Sequence, residues 1–155
     1  MAKADGFELP GDLHYDRKDH LWVRLEDGRV RVGLDALAQK SAGPVKHIQL
    51  KPVGTQVAKK RMFGTIEAGK YVGGLRAPVG GVLVETNQAV VAKPSLVNES
   101  PFGEGWFVVI EPSNLAEDLK DLVHGEAEVQ AWLEGELKDY REKGLIKGDQ
   151  EISGR

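Results

Sequence analysis

The residue with the clearest chemical potential is a lysine in a glycine-rich segment, Gly64 to Gly81 (GTIEAGKYVGGLRAPVGG). Lys70 follows Gly69 and precedes Gly73 and Gly74. Glycines on both sides favour a tight turn, because glycine adopts backbone angles that other residues avoid. Strand-like runs bound the segment, so the pattern predicts an exposed amine at the tip of a thin hairpin that another protein's active site could engulf. The alternative is an ordinary solvated loop lysine.

Other patterns that carry chemistry are missing from the sequence. No two of the four histidines have the HxH or HxxxH spacing that places two imidazoles on one face, so we expect no metal site. The glycines form neither GxGxxG nor GxxxxGKS/T, and there is no GxSxG, so neither a nucleotide cradle nor a serine nucleophile is supported. The acidic residues between Glu117 and Glu142 recur on helix faces that we expect to be solvated.

Length and composition narrow the class of protein. A chain of 155 residues fits one compact domain and buries enough surface to be stable without a disulfide or a metal. It has no cysteine, so any sulfur chemistry must arrive on a cofactor. The net charge of -3 argues against nucleic-acid binding. We expect no membrane partner and a cytoplasmic location, because no run approaches about 20 apolar residues and Met1 to Pro10 lacks a signal-peptide core.

Short valine-rich runs predict β-structure from Trp22 to Ile110. Glu26-Asp27-Gly28 separates two alternating runs and predicts a hairpin. Further predicted strands are Val45 to Leu50, Phe63 to Ile66, Val82 to Val84, Val90-Val91 and Trp106 to Ile110. Leu34 to Lys40 has the bias of a short helix that ends near Gly43-Pro44. So many short strands indicate an antiparallel sandwich or a flattened barrel.

The pattern changes to helix after Pro112. Asn114 and Glu117 have the spacing of a capping box, and Leu115, Leu119 and Leu122 mark one face of a helix that Gly125 would end. A second helix is predicted from Glu126 to about Glu142, with Gly144 as its C-cap. We therefore expect an N-terminal tail over residues 1–12, one domain over 13–142 and a flexible tail over 143–155.

Several stretches occur in an order and spacing that carry a family resemblance. They are His20-Leu21-Trp22-Val23, Val32-Gly33 through Ala38-Gln39, Phe63-Gly64 through Glu67, then Lys70, Pro78-Val79, Gly81, Val97 through Trp106, and Pro112-Ser113. Over roughly residues 14 to 135 the sequence resembles the H proteins of the glycine cleavage system, which belong to the lipoyl-carrier superfamily. The resemblance implies a mainly β fold with C-terminal α structure. This is a barrel-sandwich hybrid, or lipoyl-domain-like hammerhead, with a short N-terminal helix and two C-terminal helices.

The resemblance also implies a non-catalytic carrier with lipoate in amide linkage on Lys70. Glu67 and Gly81 match positions that lipoate-attaching enzymes favour in this family, so we expect them to serve recognition by such an enzyme. Biotin is the neighbouring possibility, but biotin domains carry methionine on both sides of the lysine, where this chain has Gly69 and Tyr71. Tyr71 and Leu21 could line an apolar cleft for the lipoyl ring. A plain interaction domain with unmodified Lys70 is a further alternative.

Two departures from the family pattern bear on the cargo of the arm. Ordinary H proteins have an acidic residue where this chain has Leu21 and another where it has Gly74. Those acids are implicated in holding the cationic aminomethyl group, for which a carboxylate is the natural partner. Their absence makes the sequence resemble the H-protein-like lipoate-binding proteins of sulfur oxidisers.

The expected function follows from these departures. The arm would carry sulfur species or reducing equivalents, with a heterodisulfide-reductase-like complex and dihydrolipoamide dehydrogenase as partners. The alternative is a glycine-cleavage carrier that works with the decarboxylase, the aminomethyltransferase and the dehydrogenase of that system. We expect a monomer in either case.

Overall fold

The computed structural model describes residues 1–69 and 71–144. Its strands are β1 Ala2–Ala4, β2 Phe7–Leu9, β3 His14–Tyr15, β4 Leu21–Glu26, β5 Arg29–Leu34, β6 Val45–Leu50, β7 Gln56–Val57, β8 Met62–Ala68, β9 Val72–Arg76, β10 Gly81–Thr86, β11 Val108–Pro112 and β12 Val123–His124. Its helices are α1 Ala36–Ala42, α2 Gln88–Ala92, α3 Leu96–Glu99, α4 Leu115–Leu119 and α5 Glu126–Glu142.

Two antiparallel sheets enclose the main core. One sheet has the strand order β12-β3-β4-β5-β11-β10-β7 and the other has the order β6-β8-β9. Both sheets contribute to one buried apolar cluster, in which the Phe63 ring of β8 lies 6.2 Å from that of Phe107, next to β11. Facing sheets that share a core form a sandwich. The predicted class is therefore confirmed: mainly β, with a short helix early in the chain and helices at its C-terminal end.

The hairpin of β4 and β5 forms where the sequence predicts it. Asp27 and Gly28 both have positive φ angles, 50° and 80°, as a two-residue type I′ turn requires. The resulting register pairs Trp22 with Gly33 across the strands. A Cβ atom at Gly33 would clash with the indole ring, so the glycine is what allows Trp22 to be fully buried.

The expected N-terminal tail over residues 1–12 is wrong. Residues 2–9 form a hairpin of β1 and β2, whose turn at Asp5 and Gly6 has positive φ angles. Its strands bury Ala2 and Leu9 completely in a second core cluster with α5. The physical cause is visible in the sequence: an Asp-Gly turn lies between short runs with apolar residues at alternate positions, which can bury one face.

Val90-Val91 is helical, not a strand. It lies in α2, where the Asn87 side chain accepts a hydrogen bond from the backbone N–H of Ala89 at 3.1 Å and caps the helix. This helix of five residues buries only Val90, so a run of two valines does not by itself distinguish a strand from a helix.

The helix after Pro112 is shorter than predicted. It ends at Leu119, the side chain of Asn114 makes no capping hydrogen bond, and Val123 and His124 instead form β12 beside β3. Gly125 therefore precedes α5 and does not end α4. The predicted bounds of α5, Glu126 to Glu142, are confirmed, and Gly144 follows it with a φ of 72°. Of the predicted C-terminal tail, residues 145–155 lie outside the described residues.

A buried ion cluster joins three of these elements. The protonated His20 imidazole donates from Nδ1 to Asp35 Oδ2 at 2.7 Å and from Nε2 to Glu136 Oε1 at 2.6 Å. Burial alone lowers the pKa of His20, but the charges and hydrogen bonds of Asp35 and Glu136 outweigh it and raise the pKa to about 10. Asp35 also caps α1 through the N–H of Ala38, and Glu136 belongs to α5. The cluster therefore ties the start of β4 to both helices.

We expect His20→Asn to lower the free energy of unfolding by about 3–5 kcal/mol at pH 6, because it leaves two carboxylates without their buried cation. Asn suits the site because His20 has a φ of 58°, which Asn tolerates. The folded-state pKa lies above the usual value of 6.5, so the contribution is complete below pH 6.5 and is lost as the pH rises toward 10. Urea unfolding at pH 6 and pH 10 measures both effects.

The exposed His47 supplies the control. His47→Asn should change the free energy of unfolding by less than about 0.5 kcal/mol at either pH. An equal gap between wild type and His20→Asn at pH 6 and pH 10 would contradict the assigned charge on His20.

Candidate functional site

The segment around Lys70 connects β8 to β9, as predicted. In the described backbone on either side of it, Ala68 donates its N–H to the carbonyl of Tyr71 at 2.7 Å, and Gly69 donates its N–H to the carbonyl of Pro44 at 3.0 Å. These hydrogen bonds close the hairpin and hold its end against the loop after α1. Lys70 itself, the expected attachment residue, lies outside the described residues.

Glu67 and Gly81 have different environments. Glu67 is exposed on β8 and pairs with Val72 in the last register position before the hairpin end, so its carboxylate is accessible beside the connection. Gly81 is buried in β10, where a Cβ atom would clash with the carbonyl oxygen of Glu111 in β11. Close strand approach is thus a structural reason for glycine at position 81. A role of either residue in recognition by an attachment enzyme stays a prediction.

A cavity of about 350 Å³ lies beside this hairpin. Its walls come from β8 and β9, the adjoining ends of β4 and β5, helix α1 and the C-terminal end of α5. The apolar lining consists of Leu21, Leu34, Ala38, Ala42, Ile66 and Leu75. Lys18, Asp19 and Arg76 add charged groups, and Tyr71 and Tyr140 add aromatic ones. A cavity of this size with apolar walls and a few polar groups is typical of a small-molecule site.

The two residues predicted for an arm cleft both line this cavity. Leu21 is 1% exposed and forms part of its floor, whereas Tyr71 is 49% exposed. The Tyr71 side chain lies against Gly73, two residues on, where any Cβ atom would clash with the tyrosine hydroxyl. The glycine therefore leaves room for the ring to fold back along the strand toward the cavity.

The cavity has no carboxylate at the two positions where ordinary H proteins carry one. Gly74 lines it without a side chain, and the thioether sulfur of Met62 would lie only 2.8 Å from a Cβ atom at position 74. Among the lining residues that the structure describes, Asp19 is the sole carboxylate, and its Oδ2 lies 3.5 Å from the ammonium of Lys60. A cationic guest would thus meet Lys18, Arg76 and an already paired acid.

The basic run at residues 59–61 is largely neutralised. The Lys59 ammonium lies 2.8 Å from Asp121 Oδ2, and Lys60 pairs with both Asp16 and Asp19. The exposed carboxylate of Asp121 adds little stability through its pair, whereas Asp16 is buried, but both carboxylates cancel charge locally. Lys18 and Arg76 therefore line the cavity as cations, beside the His20 imidazolium, whose charge is already paired with Asp35 and Glu136.

Sequence reasoning missed the contribution of α5 to the cavity. Tyr140 and Gly144 line it, and Glu136, one helical turn before Tyr140, binds His20, which also lines it. The i, i+4 spacing of Glu136 and Tyr140 places both on one helix face. The spacing does not specify which strand that face contacts, because the contact joins parts that are distant in the chain.

A lipoyl group fits this site. Its dithiolane ring and hydrocarbon chain need an apolar recess near the attachment lysine, and the cavity borders the hairpin on which Lys70 lies in sequence. Bound as an amide, the group would supply a redox-active pair of sulfurs, which this cysteine-free chain lacks. Leu21, Ile66 and Leu75 offer apolar contacts to such a ring.

Neither a metal site nor a membrane span is found among the described residues. Within residues 1–69 and 71–144, no three His, Asp or Glu side chains are grouped so that they could hold a metal ion. Over the same residues, no helix is both long enough and apolar enough to cross a membrane.

Comparisons with known proteins identify the family. Residues 13–135 match the family described as glycine cleavage H-protein. Glycine cleavage system H protein 2 of Aquifex aeolicus is 41% identical over 139 residues, which cover 89% of this chain and 83% of that protein. The glycine cleavage system H protein of Geobacillus thermodenitrificans is 41% identical over 108 residues, covering 70% of this chain and 84% of that one.

A solved structure gives the same result. The crystal structure of a glycine cleavage system H protein from Mycobacterium marinum is 35% identical, with a TM-score of 0.64 over 68% of this chain and 87% of that chain. Proteins of this family are not enzymes but carriers, and they hold lipoate covalently on a lysine. The chain therefore belongs to the glycine cleavage H-protein family of lipoate carriers.

Proposed function

We propose that this chain carries lipoate on Lys70 and that the arm, between visits to partner enzymes, rests in the cavity beside the hairpin. The observation that carries the proposal is the apolar cavity itself, which is lined by Tyr71, the residue after Lys70, and by Leu21. Amidation would remove the lysine charge, so the arm could enter an apolar recess without a desolvated ammonium. Glu67, exposed beside the connection, is the proposed contact for the attachment enzyme.

The cargo that the cavity favours is a sulfur species or reducing equivalents. An aminomethyl group on the arm is a cation, and a cation is held best by a hydrogen-bonded carboxylate. Here position 21 is an apolar, buried leucine, position 74 has no side chain, and Lys18 and Arg76 face the same space. The partners proposed on this basis are a heterodisulfide-reductase-like complex and dihydrolipoamide dehydrogenase.

Glycine cleavage is the second candidate function. The relatives described above are all named for that system, and this favours it over sulfur transfer. The chain would then carry the aminomethyl group between the enzymes of glycine cleavage, after loading by a lipoate ligase. The fold and the hairpin serve both cargoes equally, so the difference lies in the cavity lining. The cytoplasmic location and the monomeric state stay predictions under both candidates.

The attachment site is tested by intact mass. Co-expression with a lipoate ligase and added lipoate should give a single lipoyl increment that peptide mapping places on Lys70. Lys70→Arg should carry no increment, because arginine cannot form the amide, while its thermal unfolding should match that of the wild type. Lys46→Arg, at an exposed strand position, is the control and should load normally. A wild-type chain that takes no lipoyl group from any ligase would refute the carrier assignment.

The cargo is tested by restoring a carboxylate to the cavity. We expect the lipoylated wild type to support glycine decarboxylation and aminomethyl transfer at least about tenfold more slowly than the Geobacillus thermodenitrificans H protein, since it lacks one or more charge-assisted hydrogen bonds. Gly74→Asp combined with Met62→Ala, which makes room for the new side chain, should recover much of that rate.

The matched control is Gly74→Asn with Met62→Ala, which has the same shape without the charge and should stay slow. Wild-type rates equal to those of the Geobacillus protein would overturn the sulfur proposal and establish the glycine-cleavage candidate.

A further inference from the structure

The last turns of α5 extend the chain beyond the family match. That match ends at residue 135, whereas α5 continues to Glu142 and Gly144 follows it. Of the residues after 135, Tyr140 and Gly144 line the cavity beside the Lys70 hairpin. A segment beyond the residues that match the family therefore forms one wall of the site that the matched residues build.

We infer that residues 136–144 complete the resting site of the lipoyl ring, with the Tyr140 ring as a binding surface that shields the dithiolane from solvent. This inference rests on the proposed function, because it takes Lys70 as the attachment residue. It assigns to Tyr140 a contact with the cofactor that the sandwich itself does not supply.

The segment is held firmly enough to act as a wall. Glu136 binds the His20 imidazole at 2.6 Å, and the plane of that imidazole stacks on Trp132 with the ring centres 4.7 Å apart. The Tyr140 ring lies 5.5 Å from the same imidazole. His20 is itself fixed by Asp35 in the barrel, so the position of Tyr140 is set relative to β4 and α1.

The N-terminal hairpin, which also lies outside the family match, braces the same helix. Lys3 and Gln130 exchange two hydrogen bonds, from the Lys3 N–H at 2.8 Å and to the Lys3 carbonyl at 2.7 Å. Near the end of α5, Arg141 pairs with Asp5 in the turn of the hairpin. The ion pair of Asp5 with Arg141 thus joins the two segments outside the family match, and with the Lys3–Gln130 hydrogen bonds the hairpin holds both ends of α5.

Tyr140 has the chemistry that a dithiolane surface needs. A divalent sulfur makes favourable contacts with an aromatic ring, and the half-buried ring adds apolar area. Burial, together with the negative charges of Asp35, Glu136 and Asp139, raises the pKa of the Tyr140 hydroxyl, so the side chain stays neutral. A neutral ring can face the docked arm without introducing a charge.

The test measures how well the docked ring is shielded, with no partner enzyme present. The full-length chain is lipoylated and its loading is checked by intact mass. The rate at which tris(2-carboxyethyl)phosphine reduces the dithiolane is then compared with the rate for free lipoamide. We expect the wild type to react more slowly than lipoamide, and Tyr140→Ala to react about tenfold faster than the wild type, since the ring loses one wall of its site.

Three further variants keep the result interpretable. Tyr140→Phe retains the ring and should react like the wild type, as should Lys138→Ala, which changes an exposed residue of the same helical turn. Tyr140→Leu keeps apolar volume and helix propensity, so it should fold even where the alanine variant does not, and it should still lose part of the protection. Far-ultraviolet circular dichroism checks the fold of each variant.

The outcomes separate the inference from the function on which it rests. Full loading on Lys70 with equal reduction rates for wild type, Tyr140→Ala and Tyr140→Leu would overturn the Tyr140 wall and leave the carrier assignment intact. Absence of the lipoyl increment would overturn both. A rate for Tyr140→Phe as high as that for Tyr140→Ala would also overturn the assignment, because the aromatic ring would then give no protection.

Discussion

The arrangement of this protein depends on a protonated histidine that has been removed from water. His20 is 2% exposed and can keep its charge only because Asp35 and Glu136 each accept a hydrogen bond from it. Asp35 caps α1 and Glu136 lies in α5, so satisfying one buried cation fixes two helices against the start of β4. Leu21, the next residue, then lies in the cavity that these three elements surround. An ion cluster of this kind specifies position more reliably than it adds stability, because desolvation cancels much of the attraction.

The same ion cluster helps to make the body of the protein around the cavity rigid. The residues around the cavity come from strands of both sheets and from two helices, and their packing is fixed by the shared core and by the His20 cluster. The backbone of Gly69, beside Lys70, is tied to this body by its hydrogen bond to the carbonyl of Pro44. A carrier benefits from such a body, since a preformed recess binds a ring without first having to order its walls.

The sequence predicts local structure, such as turns and helices, but it does not determine contacts between distant segments. The turn at Asp27-Gly28 and the bounds of α5 follow from short patterns, and both are confirmed. The first hairpin has an equally good turn at Asp5-Gly6, but three-residue strands carry too little periodicity to be recognised beside a chain terminus. The sequence does not show that Gly125 precedes α5 and does not end α4, because a glycine with positive φ can end one element or begin the next.

The same limit applies to the site. The spacing around Lys70 predicts its hairpin, and Leu21 and Tyr71 meet in one cavity although 50 positions separate them in the chain. The wall formed by Tyr140 depends on the contact of Glu136 with His20, residues whose separation of 116 no periodicity encodes. The fold is therefore predictable from the stretches that carry the family resemblance, whereas the cavity wall depends on a contact between such a stretch and residues 136–144, which lie beyond the family match. One fold can serve several cargoes, because function lies in the site and not in the fold as a whole. A change of cargo therefore needs changes in the cavity wall, which leave the core that stabilises the fold in place.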